Sequence, residues 1–159
     1  MNHLMDPTLA TRTIDAITNA PDADAAMTAA VGMLAREVPT YNWVGIYLLA
    51  GNELVLGPFV GAPSPHTRIP LGRGICGAAA AEAITIIVDD VSSDPRYLEC
   101  SLETRSEIVV PIIHRGVVLG EIDIDSHVPA AFGGADRDLL EQVASQLAVR
   151  LAARETESR

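Results

Sequence analysis

The chain has 159 residues, of which 48% are apolar and 20% charged, the balance of one ordered globular domain long enough to bury a core. Its net charge of −10 excludes the basic stripe that a nucleic-acid partner requires. No apolar run approaches the roughly 18 to 20 residues that cross a bilayer, and the opening Met1-Asn2-His3-Leu4-Met5-Asp6-Pro7 has neither a basic region nor an apolar h-region, so a cytoplasmic protein with no membrane partner is expected.

Residues 8–19 and 22–38 read as two helices broken at Asn19-Ala20-Pro21, with Asp22 or Asp24 as cap and Pro39 closing the second. Residues 41–50 and 53–60, joined by Gly51-Asn52, predict a hairpin. Three prolines between Gly61 and Gly74 make that stretch a long irregular connection, the kind that lines sites. A short alanine-rich helix over 75–83 follows, then a strand over 84–88, a polar loop over 89–99 and a strand over 107–113. The turn His114-Arg115-Gly116 folds residues 117–125 back antiparallel, and residues 135–153 form a last helix with Leu139, Leu140, Val143, Leu147 and Leu151 on one side. Helices at both ends of five hairpin-linked strands predict an α+β domain. Its antiparallel sheet carries the N- and C-terminal helices on one face and a loop-covered ligand pocket on the other. A single domain is expected over residues 1–159, with its core at about 22–153.

The residues with chemistry gather in one region. Glu121, Asp123 and Asp125 alternate with isoleucines, so a strand turns all three acids to one face. That face is either solvated, or holds a cation, or donates protons. Glu107 opens the partner strand, and a hairpin register can bring it to the same rim, where crowding raises carboxyl pKa values. Gly72-x-Gly74-x-x-Gly77 has dinucleotide-fingerprint spacing but lacks the βαβ context. It reads instead as a structural turn, or as a helix start whose amides, at Gly74 and Ile75, approach a small anion such as a carboxylate. Cys76 lies at that start beside Arg73, where the helix dipole favours a thiolate; the alternative is a buried small apolar residue. Cys100, between Glu99 and Ser101, suits a pocket rim. Trp43, the only tryptophan, is either core filler or an aromatic wall. His66 and His114 have no second ligand at metal spacing, so neither is a candidate and no metal is expected.

Five segments, in order over roughly residues 40–150, carry a resemblance: 42–47 (Asn-Trp-Val-Gly-Ile-Tyr), 56–59 (Leu-Gly-Pro-Phe), 68–77, 105–111 and 123–126 (Asp-Ile-Asp-Ser). Together they are similar to the free methionine-(R)-sulfoxide reductases, enzymes built on a single GAF domain. The resemblance implies a homodimeric GAF-fold enzyme without a cofactor that reduces the R epimer of free methionine sulfoxide. It implies recycling through an intramolecular disulfide by a thioredoxin-type reductant. Carried over by motif, Cys100 and Cys76 become the redox pair with Cys100 attacking. Trp43 becomes the wall for the substrate methyl group, and Glu107, Asp123 and Asp125 surround the sulfoxide and amino groups. Family members typically hold a further cysteine in the loop before Arg68-Ile69-Pro70, where this chain reads Pro63-Ser64-Pro65-His66-Thr67. Its absence leaves Cys76 as the internal partner of Cys100. The toolkit is also chemically coherent: a thiolate attacks sulfur, an acid protonates the leaving oxygen, and a second thiol resolves the sulfenic acid. The alternative class is a GAF module that senses a small ligand, or the redox state, without turnover.

Overall fold

The computed structural model describes residues 5–98 and 102–157. In chain order it contains α1 (Leu9–Asn19), α2 (Ala23–Glu37), β1 (Trp43–Ala50), β2 (Glu53–Val60), β3 (Arg68–Pro70), α3 (Gly74–Glu82), β4 (Ile86–Val88), β5 (Ser106–His114), β6 (Val117–Ser126) and α4 (Gly134–Glu157). The described strands form one antiparallel sheet in the order β3-β2-β1-β6-β5-β4. No helix among the described residues is long and apolar enough to cross a membrane.

Local signals account for most boundaries. Asp22 caps α2 by accepting from the Ala25 amide at 2.8 Å, which satisfies one of the four amides a helix start leaves over. Arg115 and Gly116 both take positive φ, 50° and 81°, as a two-residue I′ hairpin requires between His114 and Val117. Pro58 sits where the β1–β2 register slips between Gly45 and Tyr47, a bulge that tolerates its missing donor.

Alternation divides each central strand between two faces. Val44, Ile46, Ile108, Val110, Ile112, Ile122 and Ile124 join α1, α2 and α4 in one core. The Leu139, Leu140, Val143, Leu147 and Leu151 side of α4 belongs to that core, so this apolar stripe packs within the chain's own fold. On the opposite face, Trp43, Tyr47, Val109 and the carboxylate row meet α3, whose Ile75, Cys76, Ala79 and Ala80 are buried there. α3 therefore closes the second face together with the loops.

One strand departs from expectation. Residues 68–70 pair with β2, Glu53 opposite Pro70 and Val55 opposite Arg68, inside what reads by sequence as irregular connection. Three residues ending in proline carry no periodic signal; pairing to β2 makes them a strand, and the sheet has six rather than five.

Candidate active site

Register builds the site row by row. Trp43 of β1 faces Asp125 of β6, which faces Glu107 of β5. The next row is Gly45, Asp123 and Val109, and the third is Tyr47, Glu121 and Pro111. All four carboxyl residues are buried, Glu121 at 0% exposure and Asp123 at 3%. The expected shared face is therefore real, and it is covered rather than solvated.

Trp43 is held against Gly45 and Gly61 and by one hydrogen bond. A Cβ at Gly45 would stand 2.3 Å from the indole ring, so the missing side chain is what lets the ring lie along the strand. Its Nε1 donates to the Ala62 carbonyl at 2.9 Å, and Phe59 stacks on it at 5.7 Å between centroids. The indole fills core and also walls a hollow of about 120 Å³ that reaches Asp125, Ser64 and Thr104.

A second, smaller hollow of about 20 Å³ lies between Tyr47, His66, Ile69, Ile75, Cys76, Leu98, Glu107 and Asp123. Cys76 presents its thiol here, donating to Glu107 Oε2 at 4.0 Å. One donor atom each from Cys76, Glu107 and Asp123 lies within 4.8 Å of the others. Of the two readings of Cys76, the buried one describes its setting, at 6% exposure. Burial, then the charges of Asp123, Glu121 and Glu107, push this thiol well above its ordinary value, while the Arg73 side chain is exposed.

The acids respond in the same sense. Burial raises Glu121 and Asp125 well above the usual carboxylate range, with Asp123 adding to both. Asp123 is raised by burial, against hydrogen bonds with Glu107 and Cys76 that pull it down. Both oxygens of Glu121 and Oδ1 of Asp123 and Asp125 lack a hydrogen-bond partner. The upward direction at Glu121, Asp123 and Asp125 suits carboxyls that release protons to a reacting oxygen.

The Gly72–Gly77 loop is closed on itself. The Gly72 amide donates to the Gly77 carbonyl at 2.9 Å and the Gly77 amide to that of Arg73 at 2.9 Å. A Cβ at position 77 would meet the Pro70 oxygen at 2.7 Å. These contacts make the turn reading of the glycines correct for 72 and 77. The start of α3 at Gly74 has no side-chain cap, which leaves the Gly74 and Ile75 amides as the helix-start donors beside Cys76.

Cys100 lies outside the described residues. Three further residues reach the site that were given no role in it. Tyr47 shares the face of Trp43 by period-two alternation and donates its hydroxyl to the His66 carbonyl at 2.8 Å. Glu121 is part of the same alternation as Asp123. His66, set aside for lack of metal spacing, lines the smaller hollow from its loop; no spacing rule reports a loop folding over a sheet.

A model of the GAF domain family matches residues 16–151, and the described fold is the GAF fold, so the chain belongs to the GAF domain family. Within it, the chain belongs with the free methionine-(R)-sulfoxide reductases. The free methionine-R-sulfoxide reductase of Escherichia coli (strain K12) is 38% identical over 120 residues, 76% of this chain and 72% of that protein. A crystal structure of the Neisseria meningitidis free methionine-R-sulfoxide reductase in complex with its substrate superposes with a TM-score of 0.89 at 33% identity, covering 99% of this chain and 97% of that one. The type II enzyme of Thermoplasma acidophilum gives 0.80 at 40% identity over 82% of this chain and 93% of that one.

Proposed function

We propose that this protein reduces free L-methionine (R)-S-oxide to methionine with two cysteine thiols. The observation that carries the reading is the clustering of Cys76, Glu107 and Asp123 within 4.8 Å, beside a hollow walled by Trp43 and reaching Asp125. Buried acids, a thiol and an indole together suit a zwitterion with a protonatable oxygen.

In this reading Trp43 packs against the S-methyl group, Asp123 takes the ammonium, and the Gly74 and Ile75 amides take the carboxylate. Cys100 attacks the sulfoxide sulfur. Glu107 and Asp125, adjacent across β5 and β6, deliver the proton that lets oxygen leave with Cys100 as a sulfenic acid. The Cys76 thiol then attacks that sulfenic sulfur, forming a disulfide and releasing water. One sulfoxide and two thiols become one sulfide, one disulfide and one water, and the balance closes. Because Cys76 is held as a thiol, its deprotonation by a neighbouring carboxylate accompanies this second step.

A thioredoxin-type dithiol as electron donor, a cytoplasmic setting, a single working unit over residues 1–159 and a homodimer complete the proposal. The dimer rests on family resemblance alone; sedimentation equilibrium tests it.

The deciding assay offers the purified protein the separated epimers with dithiothreitol or thioredoxin. Loss of the R epimer is expected, with abolition in Cys100→Ser. An unchanged R epimer would leave a sensing module standing in its place.

A further inference from the structure

We propose that Cys76, Glu107 and Asp123 form a buried binding site for a single zinc ion, occupied when the cysteines are reduced and the substrate is absent. The three donor atoms already lie within 4.8 Å of one another on buried residues. They face a hollow of about 20 Å³, room for one water or one ion.

The second observation is the unmet polarity around this cluster. Asp123 Oδ1 is buried with no hydrogen-bond partner, and the Glu121 carboxyl borders the Cys76 thiol. No ion pair involves Glu121, Asp123 or Asp125 among the described residues. Buried carboxylates without a counter-charge are costly, so this cluster favours either protons or a cation. A thiol among carboxylates selects the metal: all-oxygen sites suit magnesium and calcium, whereas one thiolate with hard oxygens suits a borderline ion such as zinc. His66 lines the same hollow, with its ring outside the 4.8 Å donor cluster.

Zinc entry displaces the Cys76 proton and carboxyl protons to solvent, forming a sulfur–zinc bond without any redox change. The ion and the substrate ammonium then claim the same Asp123. A zinc-loaded protein also lacks the free Cys76 that resolves the sulfenic acid. The site is thus a built-in metal brake; this consequence rests on the reductase reading, while the ion site itself does not.

The test titrates reduced, metal-free full-length protein with cobalt(II), a spectroscopic stand-in for zinc. A near-ultraviolet thiolate-to-cobalt band saturating at one equivalent and bleached by zinc is expected. Cys76→Ser should remove the band, and Asp123→Asn should weaken binding roughly tenfold or more, with circular dichroism unchanged. Cys100→Ser should keep the band. No saturable band, a band surviving Cys76→Ser, or full affinity in Asp123→Asn would overturn the site. If either variant does not fold, Glu107→Gln takes its place with the same expected loss. Cobalt binding without sulfoxide reduction would end the reductase reading and keep the site; reduction without cobalt binding would do the reverse.

Discussion

At position 77 a hydrogen atom is all that fits. A methyl group there would press on the Pro70 carbonyl and on the Gly72 backbone, atoms that cannot swing aside as a side-chain end can. Gly77→Ala should cost on the order of 1–3 kcal/mol in urea denaturation, the usual range for overpacking. Gly32, inside α2 with nothing within 4 Å of its would-be Cβ, makes the contrast: Gly32→Ala should stabilise by about 0.5–1 kcal/mol through helix propensity. At Trp43 the readout is activity. Trp43→Ala should lower kcat/KM for the R epimer by roughly 10- to 200-fold, the scale of a lost apolar pocket contact, and Trp43→Phe should recover part of it.

Tyr41 joins two elements far apart in the chain. Its hydroxyl donates to Asp136 Oδ1, at the start of α4, at 2.5 Å, and its ring packs on Phe132 at 5.6 Å between centroids. Burial first, then Asp136, raise this phenol far above its ordinary value. The direction sets a pH dependence. Below pH about 10 both folded and unfolded chains keep the proton, and Tyr41 contributes fully. Above it the unfolded chain releases the proton while the folded one does not, so stability falls by about 1.4 kcal/mol per pH unit. Tyr41→Phe should be about 1 kcal/mol less stable at neutral pH yet lose less above pH 10, as thermal melts across that range would show.

For the whole molecule, the helical layer is stitched by Arg150. Its guanidinium donates to the Ile17, Thr18 and Ala20 carbonyls at 3.0, 3.1 and 2.9 Å, tying α4 to the carbonyl end of α1. Arg150→Met keeps the aliphatic stem and removes the donors. It should cost roughly 1–2 kcal/mol, given the partly exposed setting, and should speed hydrogen exchange in α1 more than in the sheet.

What the sequence determined by itself is what depends on neighbours along the chain. Period-two alternation assigned Glu121, Asp123 and Asp125 to one face, and the helix limits followed from Asp22, Pro39 and the apolar spacing of residues 139–151. The motif order identified the family because it combines many residues. Tertiary structure decided the rest. Whether the acidic face met water or protein depended on α3 and the loops folding over it, and the same burial pushes the Cys76 thiol up. The 68–70 strand exists only because β2 is there to pair with it, and His66 reaches the site only because its loop crosses the sheet. Desolvation, pairing and loop closure depend on groups distant in sequence, and local pattern does not encode them.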